Sequence, residues 1–170
     1  MDKVTIFWFR RDLRLSDNIG LFKAYENEKN VLPLFIFDED ILDNLEEKKD
    51  PRVQFIHSQV KNLHKKLKEY DSSILVRKGK PLAIFTELTK EYTIQNVYTN
   101  RDYEPYARDR DKRVEEFLAE KDIPFKDYKD QVIFEKDEIT NNEGSFYQVF
   151  TPYSKVWLQK LKELDMELVD

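Results

Sequence analysis

Residues Val4 to Asn18 read VTIFWFRRDLRLSDN. The first six are apolar apart from one β-favouring Thr, a short two-faced run of the kind that forms a strand covered on both sides in a parallel sheet. Four charged residues follow at once, Arg10, Arg11, Asp12 and Arg14. A buried strand ending in such a loop sets an ionic cluster at one edge of the sheet.

Outward from this stretch the pattern repeats. Val31 to Phe37 (VLPLFIF), Ile74 to Val76, Val97 to Thr99 and Ile123 to Tyr128 predict four more strands. Between them lie helix signals. Ser16 or Asp17 caps a helix through about Glu28, and Asp50-Pro51 starts one whose Val53, Ile56, Val60, Leu63 and Leu67 share a face to about Tyr70. Lys80-Pro81 starts a helix to about Glu91, and Pro105 one to about Lys121 with Val114, Phe117 and Leu118 inward. Alternating strand and helix predicts an α/β fold: a doubly wound, Rossmann-like five-stranded parallel sheet with helices on both faces and right-handed crossovers. Pro33 fits only near its strand's first residues, because proline gives no ladder hydrogen bond.

After about Asp130 the character changes. The turn Asn141-Asn142-Glu143-Gly144 precedes Phe146, Tyr147, Val149 and Phe150, and Thr151-Pro152 predicts the cap and start of a last helix. On it Trp157, Leu161, Leu164 and Leu168 fall on one side, a stripe expected to be exposed and to cause self-association. The division expected is 1–130 as an α/β domain and 131–170 as a connection and helix leading to a further domain.

Composition narrows the classes. At 170 residues with 40% hydrophobic and 37% charged residues, the chain predicts one globular core. It has no Cys, no apolar run of membrane-spanning length and no signal-peptide pattern, which predicts a cytoplasmic protein without a membrane partner. A net charge of −5 opposes the phosphate neutralisation that DNA binding requires. The three glycines form neither GxGxxG nor a P-loop. His57 and His64 have no Cys or third ligand near them in sequence, so no metal site is expected, and no nucleophile, base and orienting acid stand together.

The chemistry therefore rests on a crevice. In an open parallel sheet the loops after the strands' carboxyl ends meet where the strand order reverses. Arg10, Arg11 and Asp12 follow strand one, Asp38 ends strand two, and Asn100, Asp102 and Glu104 follow strand four. Arginines donate and carboxylates accept, a mixture suited to a planar heteroaromatic ring with carbonyl and N–H edges. Phe37, Tyr103 and Tyr106 offer faces to stack on it. Each residue also has a plainer reading. The arginines can pair with Asp12, Asp17 or Asp38 to hold the turn, with Arg14 wholly structural, and Asp102 and Glu104 can cap or pair within the helix after Pro105. The run 108–113 can be a solvated face, and Trp8 and Trp157 packing residues.

Five ordered segments carry a resemblance: IFWFRRDLRLSDNIGL at 6–21, PLFIFD at 33–38, PRVQF at 51–55, NRDYEPYARDRD at 100–111 and YQVFTPYSKVW at 147–157. Together they resemble the amino-terminal α/β domain of the DNA photolyase and cryptochrome family. The resemblance implies a light-harvesting antenna chromophore in this domain and FAD in a separate carboxyl-terminal helical domain, which would also be the only part to meet damaged DNA. It implies that the full-length protein is a deoxyribodipyrimidine photolyase, a lyase repairing cyclobutane pyrimidine dimers with light and reduced FAD, while the 170-residue chain alone catalyses nothing. By position, Phe37, Asp38, Arg52, Asp102, Glu104 and Arg110 match the pocket of deazaflavin-using members, beside the Arg10, Arg11 and Asp12 loop. Folate-using members carry an Asn-Glu pair where this chain has Tyr106-Ala107, so a flavin or deazaflavin is favoured over a reduced folate. The alternatives are a cryptochrome-type blue-light photosensor without repair and, more distantly, a free-standing nucleotide-binding α/β protein.

Overall fold

The computed structural model describes residues 3–45 and 50–164, with the side chain of Lys136 left aside. Five strands, β1 (Lys3–Phe9), β2 (Val31–Asp38), β3 (Leu75–Gly79), β4 (Thr93–Asn100) and β5 (Phe125–Tyr128), form one parallel sheet in the order β3-β2-β1-β4-β5. The chain moves outward from β1 to β3, then returns to the other side of β1. The strand order therefore reverses between β1 and β4, as a doubly wound fold requires.

Alternation along β1 divides the core. Val4, Ile6 and Trp8 point to one face, where they pack with Ile84, Phe85, Leu88, Val114 and Leu118 of α4 (Pro81–Glu91) and α5 (Pro105–Ala119). Phe7 and Phe9 point to the other, against Leu21 and Ala24 of α1 (Ile19–Asn27) and Val60, Leu63 and Leu67 of α3 (Pro51–Lys68). Trp8 meets Phe85 edge-on at 5.2 Å, and Phe7 meets Phe9 at 4.6 Å. A short helix, α2 (Glu39–Leu42), continues directly from β2, capped by the Asp38 carboxylate accepting the Asp40 N–H.

Proline at the first helical position starts α3, α4 and α5, as its preset φ and missing N–H favour. Helices α3 and α5 end alike. Asp71 and Asp122 adopt left-handed φ values of 52° and 57°, and the next residues, Ser72 and Ile123, donate back to Leu67 and Leu118. Pro33 lies inside an interior strand, opposite Phe7. The Thr5 N–H donates to Asn30, so in this register Phe7 bonds the residues flanking Pro33, and the β3 ladder begins only at Leu34. Its missing N–H breaks no bond.

Three expectations are corrected. The cap of α1 is Asn18, whose side chain accepts the Leu21 N–H, rather than Ser16 or Asp17. The last helix, α6 (Phe150–Glu163), begins ahead of Thr151-Pro152, with Val149 at its cap and no side-chain capping bond. Its apolar side is partly covered by this chain: Phe134 meets Trp157 edge-on at 5.6 Å and Trp157 and Leu161 are half-buried, while Leu164 is exposed as expected, as are Phe150 and Leu158. Leu168 lies outside the described residues. The segment before α6 is fastened by ions. Arg101 pairs with Glu135 at 2.8 Å, Lys129 with Glu138 at 2.9 Å, and Lys160 bonds the Glu138 carbonyl. No helix among the described residues is long and apolar enough to cross a membrane.

Candidate functional site

The crevice opens at the reversal point, and beneath it lies a buried polar lock that reaches the crevice wall through Asp12. Asn100, the last residue of β4, donates to the Asp12 carboxylate at 2.5 Å and the Asn18 side chain at 2.8 Å. Its own side-chain oxygen accepts the Gly20 N–H at 2.8 Å. A Cβ on Gly20 would lie 2.5 Å from that oxygen, 3.0 Å from the Phe7 ring and 3.1 Å from the Thr99 carbonyl, so only glycine lets α1 approach β4 this closely. Asp12 also accepts the Arg10 N–H at 2.8 Å. Burial pushes the Asp12 carboxyl above its ordinary value, against the lowering effect of these two donors.

Above the lock, two guanidinium groups flank one indole. Arg10 lies 5.2 Å and Arg110 4.8 Å from the Trp8 ring. Both pair with Asp111, and Arg10 also bonds the Asn100 carbonyl. With its side chain only 6% exposed, Arg10 is committed to the fold.

The mouth is built differently. Arg11, 58% exposed, reaches across from the β1 loop to Asp102 at 3.1 Å and Glu104 at 3.4 Å on the β4 loop. Asp102 is buried, and its other oxygen accepts the Glu104 N–H at 3.2 Å. Asp38 accepts the Tyr106 hydroxyl at 2.8 Å and faces Arg110 at 3.8 Å. Burial and that carboxylate push the Tyr106 phenol well above its ordinary range. Phe35, Phe37, Phe55 and Ile56 supply apolar walls to a cavity of about 840 Å³, a volume suited to a multi-ring small molecule.

Of the sequence candidates, Arg10, Arg11, Asp12, Phe37, Asp38, Asp102, Glu104 and Arg110 all line this cavity. Arg52 does not. It is 74% exposed and turns back on the α3 cap, pairing with Asp50 at 2.5 Å. Tyr103 also leaves the crevice, donating its hydroxyl to Glu135 at 2.9 Å, whereas Tyr106 stays at the mouth. Arg14 bonds the Asp17 carbonyl and Asp130, in keeping with its structural reading. No metal-binding group of His, Cys, Asp and Glu occurs among the described residues. Sequence reasoning brought Asn100 to the crevice but missed its lock with Asn18 and Gly20, because Gly20 and Asn100 meet only once β1 and β4 are neighbours. Asp111 it read as part of a solvated run. Its place three residues before the inward Val114 and seven before Leu118 was the local sign that Asp111 shares the inward face of α5.

A doubly wound α/β domain with a ring-sized crevice of alternating arginines and carboxylates at its reversal point is the class that fold and site define. The family model for DNA photolyase matches residues 5–169, and the chain belongs to that family. It is 34% identical over 169 residues to the deoxyribodipyrimidine photo-lyase of Synechococcus sp., covering 97% of this chain and 35% of that protein. A class III photolyase structure from Agrobacterium tumefaciens superposes with a TM-score of 0.83 at 24% identity, over 100% of this chain and 34% of that one, a likeness of fold. An archaeal photolyase from Sulfolobus tokodaii, described with two FAD molecules and an implied novel light-harvesting cofactor, gives 0.75 at 26% identity, over 99% and 36%. The chain thus spans about a third of the length of the relatives it matches.

Proposed function

We propose that this chain is the antenna domain of a DNA photolyase, with residues 1–130 as the chromophore-binding body and 131–170 leading toward a helical FAD domain of the same polypeptide. The observation that carries the reading is the mouth of the crevice, where Arg11 alternates with Asp102 and Glu104 against aromatic walls. The imide edge of a flavin-like ring presents an N–H between two carbonyls, and needs an acceptor between donors. Asp102 and Arg11 supply that alternation. Asp38 already accepts from Tyr106 and Asp40, which makes it a positioning group for Tyr106 before it is a ligand contact. Ala107 is buried and Tyr106 is held to Asp38, so the positions where a folate-using relative carries Asn-Glu offer no carboxylate here. A flavin or deazaflavin fits better than a reduced folate.

When bound, such a chromophore supplies absorption of near-ultraviolet and blue light and passes the excitation to FAD. The chain's own residues bind and orient it. Aromatic walls fix the ring plane, the carboxylates fix its edge, and the buried lock keeps both loops at constant spacing. Repair of pyrimidine dimers belongs in this reading to the whole polypeptide. The test titrates riboflavin, a deazaflavin and a reduced folate into the chain, and assays the full-length gene product for light-dependent loss of dimers. Saturable binding of the first two with weaker folate binding supports the antenna reading. Binding of none of the three, or binding of all three equally by Asp102→Ala and the parent, would sink it. A full-length product that binds flavin without removing dimers would assign the chain to a photosensor instead.

A further inference from the structure

The crevice does not close at its own rim. Arg14 and Gln59 line it on one side and on the other line a second groove, of about 940 Å³, between α1 and α3. This groove runs from the carboxyl ends of the strands down to Lys29 and the start of β2. Its walls include Tyr25 of α1 and Tyr70 just beyond α3, both exposed. Lys29 and Lys66 lie on its two sides, and neither is ion-paired among the described residues. Glu69 is the one carboxylate among the described lining residues.

The helix beside it is unusual for this chain. From Pro51 to Lys68, α3 holds Arg52, Lys61, Lys65, Lys66 and Lys68 and no Asp or Glu, in a protein of net charge −5. The helix dipole accounts for the cations in the last turn and for Asp50 at the cap, but Lys61 lies outside its reach. Of these cations Lys66 lines the groove, where with Lys29 and Arg14 it outnumbers Glu69 beside exposed aromatic faces.

We infer that this groove takes the phosphate-bearing nucleotide tail of the molecule whose ring occupies the crevice. Lys29 and Lys66 face the phosphate oxygens, and Tyr25 and Tyr70 offer planar surfaces to a base. Arg14 stands at the junction of the two cavities. Its Nε and Nη2 are committed to Asp17 and Asp130, and its Nη1 makes no bond to protein among the described residues. The inference rests on the flavin reading of the crevice, and it selects a dinucleotide over a bare ring.

The experiment titrates riboflavin, FAD and ADP separately into the 170-residue chain and into a Lys29→Ala/Lys66→Ala variant by calorimetry, with melting curves to show both are equally folded. FAD should bind about tenfold or more tighter than riboflavin, from two charge-assisted contacts. ADP should bind alone. The variant should lose the FAD advantage and ADP binding while keeping its riboflavin affinity. Lysine-dependent ADP binding without riboflavin binding would sink the crevice reading and leave the groove a nucleotide site. Riboflavin binding with FAD and ADP indifferent to the lysines would overturn the groove and spare the crevice. Failure of all three ligands removes both. An oligothymidylate that binds through the lysines where ADP does not would give the groove to a nucleic-acid strand and overturn the tail.

Discussion

Two adjacent arginines in one loop serve opposite ends of the same crevice. Arg10 is 6% exposed, held by Asp111, the Asn100 carbonyl and the Trp8 face, while Arg11 is 58% exposed and spans the mouth to Asp102 and Glu104. The floor is a closed network in which each polar group already has a protein partner. At the mouth the exposed Arg11 makes the pairs to Asp102 and Glu104 that a ligand edge can replace. Buried bonds are costly to leave unmade, whereas exposed pairs contribute at most about 1 kcal/mol. The floor should therefore govern stability and the mouth should govern binding.

The sharpest way to break that division is Gly20→Ala. The added Cβ meets Asn100, Phe7 and Thr99 at once, two of them through side chains packed in the lock and one through backbone. Overpacking of this kind costs about 1 to 3 kcal/mol, and three close contacts at once put this site at the upper end. A thermal melt should show a large fall in melting temperature, and an unchanged one would mean that α1 is not held as tightly against β4 as the geometry requires. Asn100→Ala comes next. It leaves the Gly20 N–H unpaired and takes one donor each from Asp12 and Asn18, for about 2 to 3 kcal/mol in denaturant unfolding. Stability equal to the parent would show that water replaces the network and that the floor is no different from the mouth.

The opposite result is expected of Asp102→Ala. Its partner Arg11 is largely solvated and loses little, so the melting temperature should move only slightly. Riboflavin affinity, by contrast, should fall by about 1 to 2 kcal/mol, the cost of leaving a ring N–H unpaired. Equal losses of stability and affinity would erase the distinction between the two regions.

Much of this division was legible along the chain, and what was hidden has a physical reason. The strands announce themselves because a two-faced buried strand must be apolar at every position, as in VTIFWF and VLPLFIF. Three helix starts were legible because proline favours the first turn. The cap of α1 was not, since Ser16, Asp17 and Asn18 are all good caps, and the choice falls to the one whose oxygen also meets Asn100, a residue 82 positions away. Thr151-Pro152 misled for the converse reason. Proline is tolerated anywhere in the first turn, where no N–H has a helical partner, so α6 can start before it. The charged crevice residues were visible as loop residues, but nothing local separates inward Arg10 from outward Arg11.

Asp12 ties the comparison to pH. Its carboxyl has a higher value in the fold than the ordinary 3.8, because burial outweighs its two donors. The folded state thus holds this proton more tightly than the unfolded chain. The stabilisation from the proton is fully present below 3.8, is lost as pH rises through the folded value, and is constant above it. In Asp12→Asn this titration is gone, and one of the two donors faces an amide N–H₂. The stability difference, parent minus variant, should shrink with rising pH over that window. A difference that grows with pH would reverse the sign and point to a salt bridge, with Arg10 as the dominant influence.

Arg52→Ala carries the smallest expectation and discriminates between two ways of reading a site. The resemblance to deazaflavin-using relatives places Arg52 with Phe37 and Asp38. The structure sets it outside the cavity, 74% exposed, with its guanidinium on Asp50 at 2.5 Å. Asp50 caps α3 by accepting the Arg52 backbone N–H, a bond that alanine at position 52 retains. The ion pair is solvent-screened and its loss should be hardly measurable in a melt, while Asp50→Ala should cost about 1 kcal/mol through the lost cap. Ligand affinity should be unchanged in Arg52→Ala. If riboflavin or a deazaflavin instead binds severalfold more weakly, Arg52 swings from its cap into the crevice when the ligand arrives, and the mouth extends to the start of α3.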